Sequence, residues 1–325
     1  MIIVRLRDCR IVCGYEAGCL GYSLYHQLHA HGIDCVILAP TTMMTKPGKR
    51  IKTERRDARL ISKCLAFHTY SPVYIPTEVD DAVKEYIRMR DDANSALTRV
   101  KQQIIAFCIR HGKIHDGKSY WTNKHLEWLS SLDLGNKILS EVLQEYLIRY
   151  YQLREQVDMY DMRINELAQA EPYRQKVEKL GCFRGIAAHT ALSFCVEVGD
   201  FRRFATAQQF ASYLGLVPGE CSSGDKQQYT GITKAGNSHL RKLLVETAQV
   251  FGRSATKSGK SVALKERQAK CDSLTVAYAD KANARLKKKY FKIAMRSKVN
   301  IAKTAVAREM ACFIWGMMTD NISCA

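Results

Sequence analysis

The chain has 325 residues and is 46% hydrophobic, enough apolar material for two cores, which excludes a disordered protein. Fifty Lys and Arg stand against 32 Asp and Glu, a formal net charge of +18, and an excess of that size points to a polyanion, with nucleic acid first. There is no run of about 20 apolar residues and no signal-peptide pattern, and the twelve cysteines include no Cys-x-x-Cys pair; a reduced cytoplasm is expected, with no membrane and no zinc.

In chain order, Arg10–Tyr15 predicts a short strand and Gly18–His31 a helix that Gly32 ends. Ile33–Ala39 then predicts a buried strand stopped by Pro40, and a strand–helix–strand unit belongs to a mainly parallel α/β layer. A basic loop over 41–53 leads into a helix from Glu54 to His68. Lys46, Lys49, Arg50, Lys52, Arg55, Arg56, Arg59 and Lys63 crowd this stretch against only Glu54 and Asp57. Pro72 and Pro76 close the region.

Glu78 to about His111 reads as a helix, followed by a polar, aromatic loop over Gly112–Trp121. A longer helix then repeats apolar residues every seven positions, in two rows. One row is Leu139, Tyr146, Leu153, Tyr160 and Leu167; the other is Leu143, Tyr150, Val157 and Ile164. Such rows fit a coiled coil or a long helical hairpin, and the tyrosines set burial against another domain in competition with self-association. Glu171-Pro172 marks the end. Residues 173–320 read as a mostly helical domain, in which Gly185-Ile186 and Thr190-Ala191 suggest either a helix–hairpin–helix turn facing a phosphate or a plain interhelical turn. From Lys281 to Arg308 there are ten basic side chains and no acidic one. That stretch reads as a helix whose cationic face tracks a phosphate backbone, with Tyr290, Phe291 and Ile293 turned to the core.

Two constellations carry candidate chemistry. A loop with Ser222, Ser223 and Gly224 ends near Lys234 and Arg241, whose charges suit a phosphate beside a hydroxyl nucleophile. Ser-Gly-Asp is equally ordinary turn chemistry. Glu16 follows the first strand at its carboxyl end, where α/β sites tend to form. Glu54 and Asp57, at i and i+3, share one side of a helix start, either as Mg²⁺ ligands or as acids favoured by the helix dipole.

Gly14-Tyr-Glu-Ala-Gly-Cys-Leu-Gly-Tyr22, Ile51-Lys-Thr-Glu-Arg-Arg-Asp-Ala-Arg59, Gly215-Leu-Val-Pro218, Ser222-Ser-Gly-Asp225 and Lys234-Ala-Gly-Asn-Ser-His-Leu-Arg241 occur in that order. Together they resemble the DEDD transposases of the one-ten family of bacterial insertion sequences, RNA-guided serine recombinases, over nearly the whole chain. The resemblance implies an incomplete RuvC-like domain of ribonuclease-H fold over 1–76, a helical, coiled-coil region over 77–172 and a mainly helical transposase domain over 173–320. It implies Ser223 as nucleophile, with Ser222 its competitor, and Glu16, Glu54 and Asp57 as Mg²⁺ ligands. Lys52, Arg55, Arg56, Arg59, Lys234, Arg241, Lys287, Lys288 and Lys289 are the expected nucleic-acid contacts. DNA, a bridge RNA and further copies of the chain, as a dimer becoming a tetramer, are the implied partners, at the bacterial nucleoid.

The chain departs from this pattern twice. Met1–Cys9 holds no Gly-Ile-Asp strand, and Asp8 does not replace it by context; Glu54 stands where the pattern has Asp. One methylene moves a ligand by about 1 Å, which near-octahedral Mg²⁺ tolerates poorly. A 5′-truncated copy with impaired catalysis is therefore expected. A non-catalytic DNA- or RNA-binding remnant and a RuvC-like metal-dependent nuclease are the alternatives.

Overall fold

The protein is described from a computed structural model covering residues 10–40, 43, 53–220, 228–253 and 259–322. It is mostly helical, with two small sheets, and divides into two compact units, Met1–Thr77 and Glu78–Ala325.

In the first unit β1 (Val12–Glu16) and β2 (Asp34–Leu38) pair in parallel, with Val12 opposite Asp34 and Glu16 opposite Leu38. Between them lies α1 (Ser23–Ala30), shorter than the sequence predicts: residues 17–22 are turn, with Gly21 at φ 55°. An α-helix cannot pass through that left-handed value, so the helix starts only after it. Gly32, at φ 72°, ends the segment as expected. α2 (Glu54–Phe67) stops at His68 in the left-handed conformation and covers the sheet. Its Leu65 fills the space beside Gly14, and Cys64, Leu60 and Ile61 pack around the fully buried Leu38.

The second unit begins with two helices of 33 residues each, α3 (Glu78–Arg110) and α5 (Lys137–Gln169), each about 50 Å long. Tyr86 meets Tyr160, Arg90 meets Asp161 and Phe107 meets Tyr146. Numbers rise along one helix as they fall along the other, so the pair is an antiparallel hairpin within one chain. Leu143, Tyr150, Val157 and Ile164 form its buried seam, whereas the row from Leu139 to Leu167 is half-buried along the flank. At the tip, α4 (Asn123–Ser130) lies where the sequence shows no separate helix; Thr122 caps it by accepting from the His125 N–H. His125 is buried there, and its Nδ1 accepts the Trp121 N–H at 3.1 Å. Burial, aided by nearby His115, lowers its pKa and keeps the ring neutral.

The remaining elements are α6 (Arg174–Gly181), α7 (Ala188–Val198), α8 (Ala207–Tyr213), β3 (Pro218–Glu220), β4 (Tyr229–Ile232), α9 (Ser238–Arg253), α10 (Val262–Gln268), α11 (Ser273–Ala294) and α12 (Val299–Met318). One core runs through them and takes in Val83, Ile87, Ile164 and Ala168 from the base of the hairpin. The cationic stretch from Lys281 to Arg308 is two helices, not one; the chain turns at Met295–Lys298. Tyr290 is buried and Phe291 and Ile293 pack on the core, as the sequence suggests. The turn at Gly185 serves packing: Ile186 is buried, a Cβ on Gly185 would come within 2.9 Å of Thr247, and Asn283 takes the Arg184 N–H. Among the described residues nine cysteines are free, and burial pushes the Cys195 thiol up to about 12. No described helix is long and apolar enough to cross a membrane.

Candidate functional site

Strand and helix directions place the acids of the first unit. Ser62, Leu65, Ala66 and His68 of α2 and its cap line a cleft of about 730 Å³ together with Arg10, Val12 and Asp34, at the amino edge of the strands. Leu60 and Ile61 lie by Leu38, near the carboxyl edge. The end of the helix thus lies at the amino edge of the strands, and its direction carries the first turn, with Glu54 and Asp57, away from that edge. Glu16 and Glu54 are exposed and Asp57 is half-buried. Their oxygens suit a hard divalent cation, and a common edge suits a shared site. The acids stop short of a closed ligand set: among the described residues no three His, Cys, Asp or Glu side chains are placed to hold one ion. Arg55, Arg56 and Arg59 share the exposed surface of that turn. Lys52 lies outside the described residues.

Ser222 and Ser223 also lie outside the described residues, within 221–227; the framework that presents them does not. β3 and β4 pair antiparallel, Pro218 with Ile232 and Glu220 with Tyr229, on either side of that segment. The root of this hairpin is clasped by the two motifs that flank the serines. The Thr233 N–H donates to the Val217 carbonyl and the Lys234 N–H to the Gly215 carbonyl. Arg241 donates through Nη1 to the Leu214 and Ala235 carbonyls at 2.9 and 3.1 Å. Gly215 (φ 63°) and Gly236 (φ 73°) are required: a Cβ would sit 2.1 Å from the Ala235 oxygen in the first case and 2.0 Å from the Tyr213 oxygen in the second. The guanidinium of Arg241 therefore holds backbone, while Lys234 is exposed at φ 56°.

Beneath the root lies a group of charges that sequence reasoning missed. Glu197 of α7, its side chain 8% exposed, accepts from Arg88 of α3 and, at 2.7 Å, from Nδ2 of Asn237. Beside it Asp91 accepts from His189 at 3.0 Å and lies 3.6 Å from Nδ1 of His239. Burial alone would raise the Asp91 pKa, but the His189 bond and the nearby His239 and Arg90 outweigh it and lower it. His239 is pushed down by burial and then by Arg88, against the pull of Glu197 and Asp91, so its ring is neutral near pH 7. The one available signal was Asn237 and His239 inside the motif ending at Arg241, whose two ends alone drew notice.

The lysine run separates by direction. At 100° per residue, Lys281, Arg285, Lys288 and Lys292 fall within about 60° of one another, opposite the buried Ala279, Ala282, Leu286 and Tyr290. All four are exposed. Lys289 turns aside to Glu309 at 2.5 Å, a carboxylate that also takes Arg285, and Lys287 is half-buried. Of the three consecutive lysines, Lys288 alone is in the outward row.

A basic outer row and a clasped polar hairpin suit a polyanionic partner, and comparison with known proteins is specific about the class. A profile described as the transposase IS116/IS110/IS902 family matches residues 178–268, and a DEDD transposase profile of the IS110 type matches residues 3–109. The putative transposase y4qE of Sinorhizobium fredii is 36% identical over 307 residues, 94% of this chain and 75% of the relative. The transposase for insertion sequence element IS1533 of Leptospira borgpetersenii is 34% identical over 287 residues, 86% of this chain and 81% of the relative. The chain belongs to the IS110 family of insertion-sequence transposases.

Proposed function

We propose that the protein cuts and rejoins DNA at an insertion sequence through a serine nucleophile, Ser223, with Ser222 its competitor. The observation that carries this reading is the clasped β3–β4 root: two glycines that admit no side chain and an arginine bonded to backbone hold the ends of the segment bearing both serines. A fixed framework flanking a hydroxyl-bearing segment is what an attacking group needs. The serine oxygen would form a bond to a DNA phosphorus as the P–O bond to one deoxyribose oxygen breaks. The hydroxyl proton leaves, the deoxyribose oxygen gains one, and the phosphoserine ester keeps the bond energy for rejoining.

Glu16, Glu54 and Asp57 would hold a divalent ion, Mg²⁺ by donor chemistry, with a further ligand completing the set. When bound, such an ion acts as a Lewis acid toward a phosphoryl oxygen. The first unit is accordingly assigned the RuvC-like role, the hairpin the coiled-coil role and the remainder the nucleophile. A bridge RNA choosing the DNA, and assembly from dimer to tetramer, complete the reading and rest on the resemblance. The outward row of α11, about 16 Å long by helix rise, suits a duplex phosphate backbone; it carries no exposed aromatic side chain on which a base could stack. Arg55, Arg56, Arg59 and Lys234 are further exposed contacts in this reading, whereas Arg241 acts through the clasp.

The test is a denaturing gel of protein incubated with its element-end DNA, structured RNA and Mg²⁺. A covalent protein–DNA adduct is expected, lost in Ser223→Ala and kept in Ser222→Ala. An adduct surviving in Ser223→Ala overturns the assignment. Cleavage indifferent to Ser223 but abolished by Asp57→Ala would make the protein a metal nuclease, and binding without cleavage a remnant.

A further inference from the structure

We propose that Glu197, Asn237 and Arg88 are positioning residues: a half-buried hub that fixes the root of β4, the strand that follows the serine-bearing segment, and thereby sets the rate of attack. The proposal rests on the serine reading above. It begins with a costly arrangement: a carboxylate 8% exposed, where an apolar side chain would cost less, persists only with its bonds made. Glu197 has them. One oxygen takes Nε of Arg88 at 2.9 Å and also its Nη2; the other takes Asn237. The Glu197 backbone carbonyl accepts the Tyr213 hydroxyl at 3.2 Å.

Asn237 transmits this to the root. Its Nδ2 donates to Glu197 at 2.7 Å and to the Tyr213 hydroxyl at 3.3 Å, while its Oδ1 accepts the Leu240 N–H at 3.0 Å, capping α9. Its own N–H donates to the Tyr213 carbonyl. Every polar atom of the amide is engaged, so it has one orientation. From Asn237 the chain passes back through the turn at Lys234–Gly236 into β4, whose far end meets the serine segment. Arg88 and Asn237 are 109 and 40 residues from Glu197 in sequence, so two helices and the residue that caps a third fix one turn.

Isosteric exchange reads the hub out. In Glu197→Gln, one amide oxygen can still serve Arg88, but the new NH₂ then faces the NH₂ of Asn237. Flipping Asn237 relieves that clash and breaks the cap on Leu240. In the swapped pair Glu197→Gln with Asn237→Asp, the NH₂ faces a carboxylate oxygen, the second oxygen still caps α9, and the net charge is unchanged.

The experiment uses the full chain in three forms: parent, Glu197→Gln and the swapped pair. Two quantities are followed, the single-turnover rate of adduct formation with its DNA affinity, and amide hydrogen exchange over Tyr229–Thr233. Misplacing a reacting group by about 1 Å costs on the order of a hundredfold. Glu197→Gln is expected to form adduct ten- to a hundredfold more slowly, to bind DNA within twofold of the parent, and to exchange the β4 amides at least tenfold faster. The swapped pair is expected to recover both rates. Parent-like adduct rates and exchange in Glu197→Gln would overturn the proposal, as would a folded swapped pair that recovers neither. Should Glu197→Gln fail to fold, Arg88→Gln, whose target is 42% exposed at the side chain, carries the same expectations and the same refutation. A parent that forms no adduct refutes the serine reading alone, and the exchange arm still decides whether the hub sets β4.

Discussion

The outer face of α11 and the floor beneath the β3–β4 root are both built from ionised side chains, and they obey opposite physics. Lys281, Lys288 and Lys292 are exposed and of one sign, so they add little to stability and act at a distance until salt screens them. Arg88, Glu197 and Asp91 are of mixed sign, with two histidines among them, and the Glu197 carboxylate is drawn inward, where it is tolerated only with its partners in place. The first set offers a surface to a polyanion. The second fixes a backbone. Counting basic residues cannot tell them apart, because Lys288 belongs to the first kind while its neighbour Lys289 is tied to Glu309.

The sharpest way to break the inner region is at its backbone. Gly236→Ala would place a methyl 2.0 Å from the Tyr213 carbonyl oxygen, at φ 73°. The left-handed conformation alone costs about 1–2 kcal/mol, and the displaced carbonyl loses the Asn237 N–H. A total loss of roughly 3 kcal/mol is expected, seen as a lower guanidinium midpoint. Gly231→Ala is the control: its Cβ meets nothing within 4 Å. It should be neutral to within about 0.5 kcal/mol.

The outer row should respond to salt rather than to denaturant. If its members neutralise phosphates, replacing Lys281, Lys288 and Lys292 by Gln makes the slope of log affinity against log salt shallower, by roughly 0.9 per lost contact on duplex DNA. The unfolding midpoint should stay where it is. Lys289→Gln, which removes a partner of Glu309, should do the reverse: a small loss of stability with the slope nearly unchanged. Equal slopes for the triple variant and the parent would remove α11 from the DNA-binding surface.

The contrast also marks what the sequence discloses. Strands β1 and β2, the start of α2, the extent of α3 and the seam at Leu143, Tyr150, Val157 and Ile164 follow from local periodicity and from Gly and Pro punctuation. The late start of α1 does not, because Gly18 and Gly21 read as tolerable helix residues until the backbone turns at φ 55°. The break between α11 and α12 is hidden for a related reason: Met295–Lys298 holds neither Gly nor Pro. The motifs flanking the serine segment could be picked out, since each is a short string. The hub could not, because its bonds join positions that no periodicity relates. Arg241 shows what reading charge omits: a cation beside a serine loop looks like a phosphate ligand, and its Nη1 also holds two backbone carbonyls.

Acid should separate the two regions once more, with the smallest effect. Acid acts on the inner region, which holds groups whose proton affinity differs between the folded and the unfolded chain. His239, from α9, faces Asp91 and Arg88 of α3 and Glu197 and His189 of α7, and its pKa is depressed below 6.5. A depressed value means that the unfolded chain takes up the proton first. The stability held by the neutral ring is therefore complete above pH 6.5 and declines as pH falls toward the folded value. Asp91 has the same sign in a lower window: its contribution holds above its ordinary 3.8 and is lost only in stronger acid. His125 at the hairpin tip is also shifted down, by burial and then by His115. The parent is thus expected to lose stability between pH 7.5 and pH 5.5, and His239→Gln, which has no proton to gain, to lose less. Denaturant midpoints at the two pH values make the comparison, with His125→Gln separating the tip from the root. If His239→Gln falls as steeply as the parent, the ring beside Asp91 is charged throughout and the inner region holds one more cation than its bonding pattern allows.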